Sequence, residues 1–364
     1  MNTASRVLSP CCALLATPVF RLKTAAAQEH SEPQKTFEKI HLSGAQEQRW
    51  PRSETYANHG DVIRSVPIFP LGRISFIPHS GTENLHVFEP RYRKLYIDML
   101  GWTARLRWPF FKNVKISVSL PWQQATQPTR PCLVNVWMDV DHQGKFVSSV
   151  GVLLDVTSWT RVGMFPPRYN AVHHSGSRVR ILRIVNPEAV SNIDNYLMAD
   201  IEVIQDKPQP REHAETLRAW RAVWASIRAL IDLQTNLDVR PRLSRRVLDL
   251  GRDRTLLFPN SCWLDEEDVW KPVGVVQELC QTQVLATHKK YMEAIRRGWA
   301  AGDAVDKLQH AYDMELQRLD QVWEGIHCLL QEESVVTMLW ELSQIVDAEV
   351  ERLQALNASV EQAT

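Results

Sequence analysis

The sequence predicts an α+β chain: a compact, mainly antiparallel β unit over residues 62–206, followed by a C-terminal helical bundle over residues 207–364. Two observations predict it. Between Val62 and Asp206 the apolar runs are short, alternate with polar residues and are broken by Pro, Gly and Asp, as in strands joined by tight turns. After "DKPQP" the apolar period changes to that of a helix and stays there to the end of the chain.

Taken in order, residues 1–28 contain no Asp or Glu but do contain Arg6, Arg21 and Lys23 among Ser, Thr and Ala, the composition of an organellar transit peptide. Pro10 and Pro18 interrupt the apolar stretch that a secretory signal would need, and a plain cytoplasmic tail is the alternative. Residues 29–61 are polar, lack periodicity and read as a disordered linker. "VIRSVPIFPLGRISFIP" then supplies two apolar runs, whose prolines suggest strand ends or edges rather than ladder interiors. In "NLHVFEPRYRKLYIDML", Leu85 to Phe88 read as a short buried strand, and Tyr92, Leu95, Tyr96 and Met99 recur at helical spacing. Glu89 is placed to accept the first helical N–H groups, and Pro90 suits a first helical position because it has no N–H to satisfy.

"CLVNVWMDVDHQGKFVSSVGVLLDVTSWT" reads as a hairpin turning at "DHQGK". "SRVRILRIV" and "NYLMADIEVIQD" add two more strands, with Leu197, Ala199, Ile201 and Val203 on one face of the second. In the helical half, Leu217, Trp220, Val223, Trp224, Ile227, Leu230 and Ile231 trace one stripe, and Val335 to Leu353 trace another, as bundle cores do.

Composition narrows the function. With 42 basic against 42 acidic side chains, the chain is not built chiefly to neutralise phosphates. Its six cysteines form no C-x-x-C pair and read as reduced thiols. There is no phosphate-binding G-x-x-x-x-G-K-[ST], no H-E-x-x-H and no G-x-S-x-G. His173 and His174 are adjacent, so their side chains should point apart rather than share a metal. No catalytic, metal or cofactor site is expected, and no run reaches the roughly 18 apolar residues of a membrane span.

"VPIFPLG" followed by "LHVFEPRYR" resembles the opening of the LON domain, the substrate-binding N-terminal region of ATP-dependent Lon proteases that also occurs in standalone proteins. The residues that carry the resemblance are Phe69, Pro70, Leu71, His86, Phe88, Glu89, Pro90, Arg91 and Tyr92. Gly176, Arg178 and Arg180 echo the family's later turn-Gly and Arg-x-Arg signature. Asn84 stands where the family usually has proline, and Val179 replaces an aromatic. The resemblance implies a PUA-like β-barrel in which these residues are mainly structural. It also implies a standalone form without the Lon ATPase and protease modules, similar to plastid and cyanobacterial ones, which favours a plastid over a mitochondrion.

Residues 101–131 look like an insertion into that pattern, bounded by Gly101 and "TQPTRP". Trp102, Trp108, Phe110, Phe111 and Trp122 there are candidate binding residues, since aromatics supply large contact area at low entropy cost. The partners expected are polypeptide clients or protease and chaperone subunits. An RNA-binding PUA-like module is the alternative, suggested by the basic and aromatic mixture of "RLRWPFFKNVK".

Overall fold

The computed structural model describes residues 38–42, 62–72, 76–99, 131–141, 144–162, 168–206, 210–236, 244–252, 264–296 and 303–363. The expected leader and the insertion up to residue 130 lie outside them. Within them are strands β1 (Lys39–His41), β2 (Val62–Leu71), β3 (Thr82–Val87), β4 (Cys132–Asp141), β5 (Gly144–Val162), β6 (Arg168–Ile184) and β7 (Met198–Val203). The helices are α1 (Pro90–Met99), α2 (His213–Asn236), α3 (Arg245–Arg252), α4 (Glu266–Arg296), α5 (Asp303–Gln331) and α6 (Val335–Ala363).

The sheet order is β1-β5-β4-β2-β7-β6-β3, and β5 also pairs with β6, so five strands close into a barrel with β1 and β3 added outside the ring. All pairings are antiparallel except β2 with β4. Alternation along the strands separates two cores. Val66 and Ile68, Val134 and Val136, Val147, Val179 and Ile181, and Ala199 and Ile201 fill the barrel, one group from each strand of the ring. The opposite faces of β4 and β5, with Leu133, Trp137, Val150, Val152 and Leu154, join the larger core shared with the helices. Gly151 has no room for a side chain. A Cβ there would lie 2.5 Å from the Asn135 carbonyl and 2.7 Å from methyls of Val134 and Val136.

Several local expectations are corrected. Pro67 and Pro70 lie within β2, which is interior to the ring. The strand changes partner between them: residues up to Pro67 pair with β7, and Ile68 onward pair with β4. Each proline therefore has one bonded neighbour, and its missing N–H leaves no ladder bond unmade. Residues 39–41, within the stretch read as linker, form β1, because Ile40 and Leu42 are spaced to enter the barrel core together. Gly176 is mid-strand in β6 rather than in a turn, close against the Leu153 carbonyl of β5.

In the helical half α2 packs along α6 and α4 along α5. Trp220, Trp224 and Trp270 are fully buried there. Arg318 and Arg352 pair with Glu315 and Glu349, tying α5 to α6 at distances of 2.8–3.2 Å. Arg352 also reaches the Gln283 carboxamide of α4 at 2.6 Å.

His173 and His174 do point apart: His173 is fully buried and bonded to the Tyr96 hydroxyl at 2.5 Å, whereas His174 is exposed. His327 is also fully buried, edge-on to Trp137. Burial lowers the pKa of His173 to about 4 and that of His327 to about 3. Both are neutral in the fold at pH 7, while the unfolded chain takes up protons near pH 6.5. Their contribution is thus fully present above pH 6.5 and declines as pH falls toward the folded values. Denaturation midpoints should drop between about pH 6.5 and pH 4, by on the order of 2–3 kcal/mol per histidine in unfolding free energy. Phe or Leu in place of both should flatten that slope.

Candidate polypeptide-binding surface

The "FEPR" corner divides between packing and surface. Phe69 is buried against Tyr92, with ring centroids 4.3 Å apart, and the Tyr92 hydroxyl donates to the Pro70 carbonyl at 3.4 Å. Leu71 is half-buried against the same core. Pro90 opens α1, and Tyr92, Leu95, Tyr96 and Met99 turn inward as their spacing predicts. Burial raises the pKa of the Tyr92 hydroxyl, consistent with a packing role.

Two expectations fail at the same corner. Phe88 does not close a buried strand: it is 45% exposed and stacks on His86, whose Nδ1 is 2.6 Å from the Asn170 carboxamide oxygen. The reason is parity, since β3 buries only Val87 fully and leaves one face to solvent. The Glu89 carboxylate does not cap the helix either. It pairs with Arg91 at 3.0 Å, and the Glu89 backbone carbonyl accepts the Arg93 N–H.

The signature arginines have a different task. Arg178 is buried at 3% exposure on β6, and its Nε donates to the Asp206 carboxylate at 2.6 Å. Its Nη1 donates to the carbonyls of Leu330 and Glu332, at 2.7 and 2.6 Å, where α5 ends. The other Asp206 oxygen accepts the Trp270 indole N–H of α4 at 2.7 Å. Arg180 reaches Glu333 at 3.3 Å. This cluster ties the barrel to the bundle beside the apolar core that the two share. The sequence marked Arg178, but its partners lie 28 to 154 residues away and carry no local signal.

A surface remains where the barrel extends into solvent. The last β4–β5 pair is Cys132↔Asp155, whereas β5–β6 pairing continues to Val162↔Arg168. Beyond Asp155 the Val156 N–H donates to the Pro131 carbonyl, and among the described residues β4 pairing does not continue further along β5. Thr157 through Val162 are all exposed. Trp159 and Arg161 project from one face of this ribbon, and Thr160 and Val162 from the other. Trp159 lies edge-on over buried Tyr169, 5.5 Å between centroids, which holds the indole in place while leaving 36% of the residue exposed. Sequence reasoning read this stretch as the end of a hairpin and did not single out Trp159, although "VTSWTRV" is a β-prone run with one charge. Trp102, Trp108, Phe110, Phe111 and Trp122 lie outside the described residues, as does the basic-aromatic stretch. No group of three or more His, Cys, Asp or Glu among the described residues could hold a metal ion, and no described helix is long and apolar enough to cross a membrane.

No protein-family model and no curated protein matches the chain. Solved structures do. The chain is similar to Lon N-terminal domains. A Lon N-terminal domain protein from Xanthomonas campestris aligns at 18% identity over 45% of this chain and 79% of its own, with a TM-score of 0.25. The N-terminal domain of the Mycobacterium avium complex Lon protease aligns at 13% identity over 59% of this chain and 94% of its own, with a TM-score of 0.31.

Replacing Arg178 with Met should lower unfolding free energy by about 3–5 kcal/mol, because Asp206 would remain buried without its counter-charge. Arg178→Lys should recover only part, since an ammonium cannot span Asp206 and two carbonyls together. Glu89→Ala should cost about 1 kcal/mol or less, as its pair is partly exposed. Urea denaturation of the three variants separates the fastening arginine from the surface pair.

Proposed function

We propose that the protein is a non-catalytic binding module that takes extended polypeptide by strand addition along the outer edge of β5 from Thr157 to Val162. The observation that carries this is the exposure of Thr157–Val162 on a stretch of β5 that pairs with β6 but, among the described residues, not with β4. A solvent-exposed strand that lacks a partner on one side is a template for another chain, and proteins that do not use such an edge usually shield it with charge, proline or a covering element. Here Arg161 is the one charged residue of the run. A strand laid there would gain main-chain hydrogen bonds, while its alternate side chains met Trp159 and Arg161 on one face and Thr160 and Val162 on the other. Such recognition reads backbone more than sequence, which suits unfolded clients. The likeness of the "PIFPLG" and "LHVFEPRYR" motifs to the LON domain, a substrate-binding unit, supports the same reading. In it, the protein presents clients to a protease or chaperone partner inside an organelle, a plastid in preference, and the acid-free residues 1–28 motivate the compartment.

Trp159→Ser should weaken binding of a fluorescently labelled unfolded polypeptide about tenfold, as truncating a central aromatic anchor does, while leaving the melting temperature nearly unchanged. Binding at the parent affinity would remove β5 from the site. Residues 1–45 fused to a fluorescent passenger should carry it into an organelle, and a diffuse cytosolic signal would refute the compartment.

A further inference from the structure

A second strand-addition site is already filled, by the chain itself. Residues 38–42 lie along β5 as a five-residue extended segment. Lys39, Ile40 and His41 oppose Ser148, Val147 and Phe146, and the ladder is extended by bonds from the Leu42 N–H to the Lys145 carbonyl and from the Ser149 N–H to the Glu38 carbonyl. Two features distinguish this from an ordinary edge strand. First, Gln331 at the end of α5 reads the segment's backbone. Its Oε1 accepts the Glu38 N–H at 2.8 Å and its Nε2 donates to the Glu38 carbonyl at 3.0 Å, so a side chain supplies both bonds a neighbouring strand would make. Second, Ile40 and Leu42, 4% and 5% exposed, enter the barrel core beside Val147, Val134 and Val136, while Lys39 and His41 lie over Phe146 on the other face. Ser149 meets the Glu38 carboxylate at 3.0 Å.

Backbone bonds, a carboxamide that takes both the N–H and the carbonyl of one residue, and two apolar sockets at i and i+2 together describe a receptor for extended peptide. The apolar-x-apolar spacing and the backbone bonds carry the fit, and the contacts of Lys39 and His41 with Phe146 and of Glu38 with Ser149 lie at the surface of the slot. We propose that residues 38–42 are a tethered occupant of a strand-addition slot formed by β5 residues 145–149 and Gln331. An extended apolar-x-apolar segment of another polypeptide takes their place when they leave. The slot is distinct from the exposed edge at Thr157–Val162 and lies at the opposite end of the same strand. An intramolecular occupant acts at an effective concentration in the millimolar range, so it excludes weak competitors and yields to strong or multivalent ones.

The test uses the full chain with Ile40→Ser and Leu42→Ser, and a fluorescein-labelled peptide of residues 36–44, TFEKIHLSG. The variant should bind this peptide roughly a hundredfold more tightly than the parent chain does, because its own segment no longer competes. A peptide with both apolar residues changed to Ser should not bind. Adding Gln331→Ala to the variant should weaken binding about tenfold, the effect of two lost hydrogen bonds. Equal binding to parent and variant, or no binding to either, overturns the proposal. Hydrogen exchange on the parent chain gives a second measurement that does not depend on the variant folding. The amides of residues 39–42 should exchange far faster than those of β4, through local release. Exchange only through global unfolding would show that the segment is a fixed part of the barrel. Trp159→Ser should leave TFEKIHLSG binding to the variant unchanged, so failure at the exposed edge and failure at the slot are told apart.

Discussion

Arg178 is a full charge held out of water, and three separate parts of the chain must meet before that burial is tolerable. Asp206 supplies the counter-charge from the end of the barrel, α4 fixes Asp206 through the Trp270 indole, and the Leu330 and Glu332 carbonyls at the end of α5 accept from Nη1. A buried ion pair of this kind adds little net stability over an apolar substitute, but removing one partner is severe. Its value here is geometric. The planar fork of a guanidinium is directional, so the placement of Asp206 and of the two carbonyls around Arg178 orients the end of α5 on the barrel. Gln331, between the two carbonyls that Arg178 holds, is thereby aimed at Glu38.

Much of the fold was legible in the sequence, and the parts that were not share a cause. The hairpin at "DHQGK", the inward helical face of Tyr92, Leu95, Tyr96 and Met99, and the tryptophan stripe of α2 all follow from local period, and they stand as expected. Pro67 and Pro70 misled because local rules assume a strand keeps the same neighbours along its length, whereas β2 exchanges them midway. Ile40 and Leu42 were hidden in a polar stretch because two apolar residues make no period, yet two suffice when the receiving surface is already built. Phe88 looked buried by residue type, and strand parity put it outside.

The candidate site was less legible than the fold. Motif residues drew attention to the corner at Glu89 and Pro90, where the chemistry is ordinary surface pairing. Trp159 drew none, because an edge strand is defined by where its neighbour stops, and the end of β4 at Cys132 cannot be seen from "VTSWTRV". The long strand β5 closes the barrel in its middle, pairs with β1 near its start and runs on beyond β4 at its end.

The sheet order carries a consequence for how the molecule is made. β2 is an early strand, yet both its neighbours come late, β4 starting at Cys132 and β7 at Met198. During synthesis from the N-terminus its backbone groups therefore have no ring partner until about sixty further residues have followed, and the second partner comes only at Met198. The clasp between Glu38 and Gln331 waits longest, spanning 293 positions. Contacts so distant along the chain make for slow closure and a prolonged period of exposed apolar strand. The ring cannot close until β7 has been made, so β2 lacks one of its two neighbours until more than half of the chain has been synthesised.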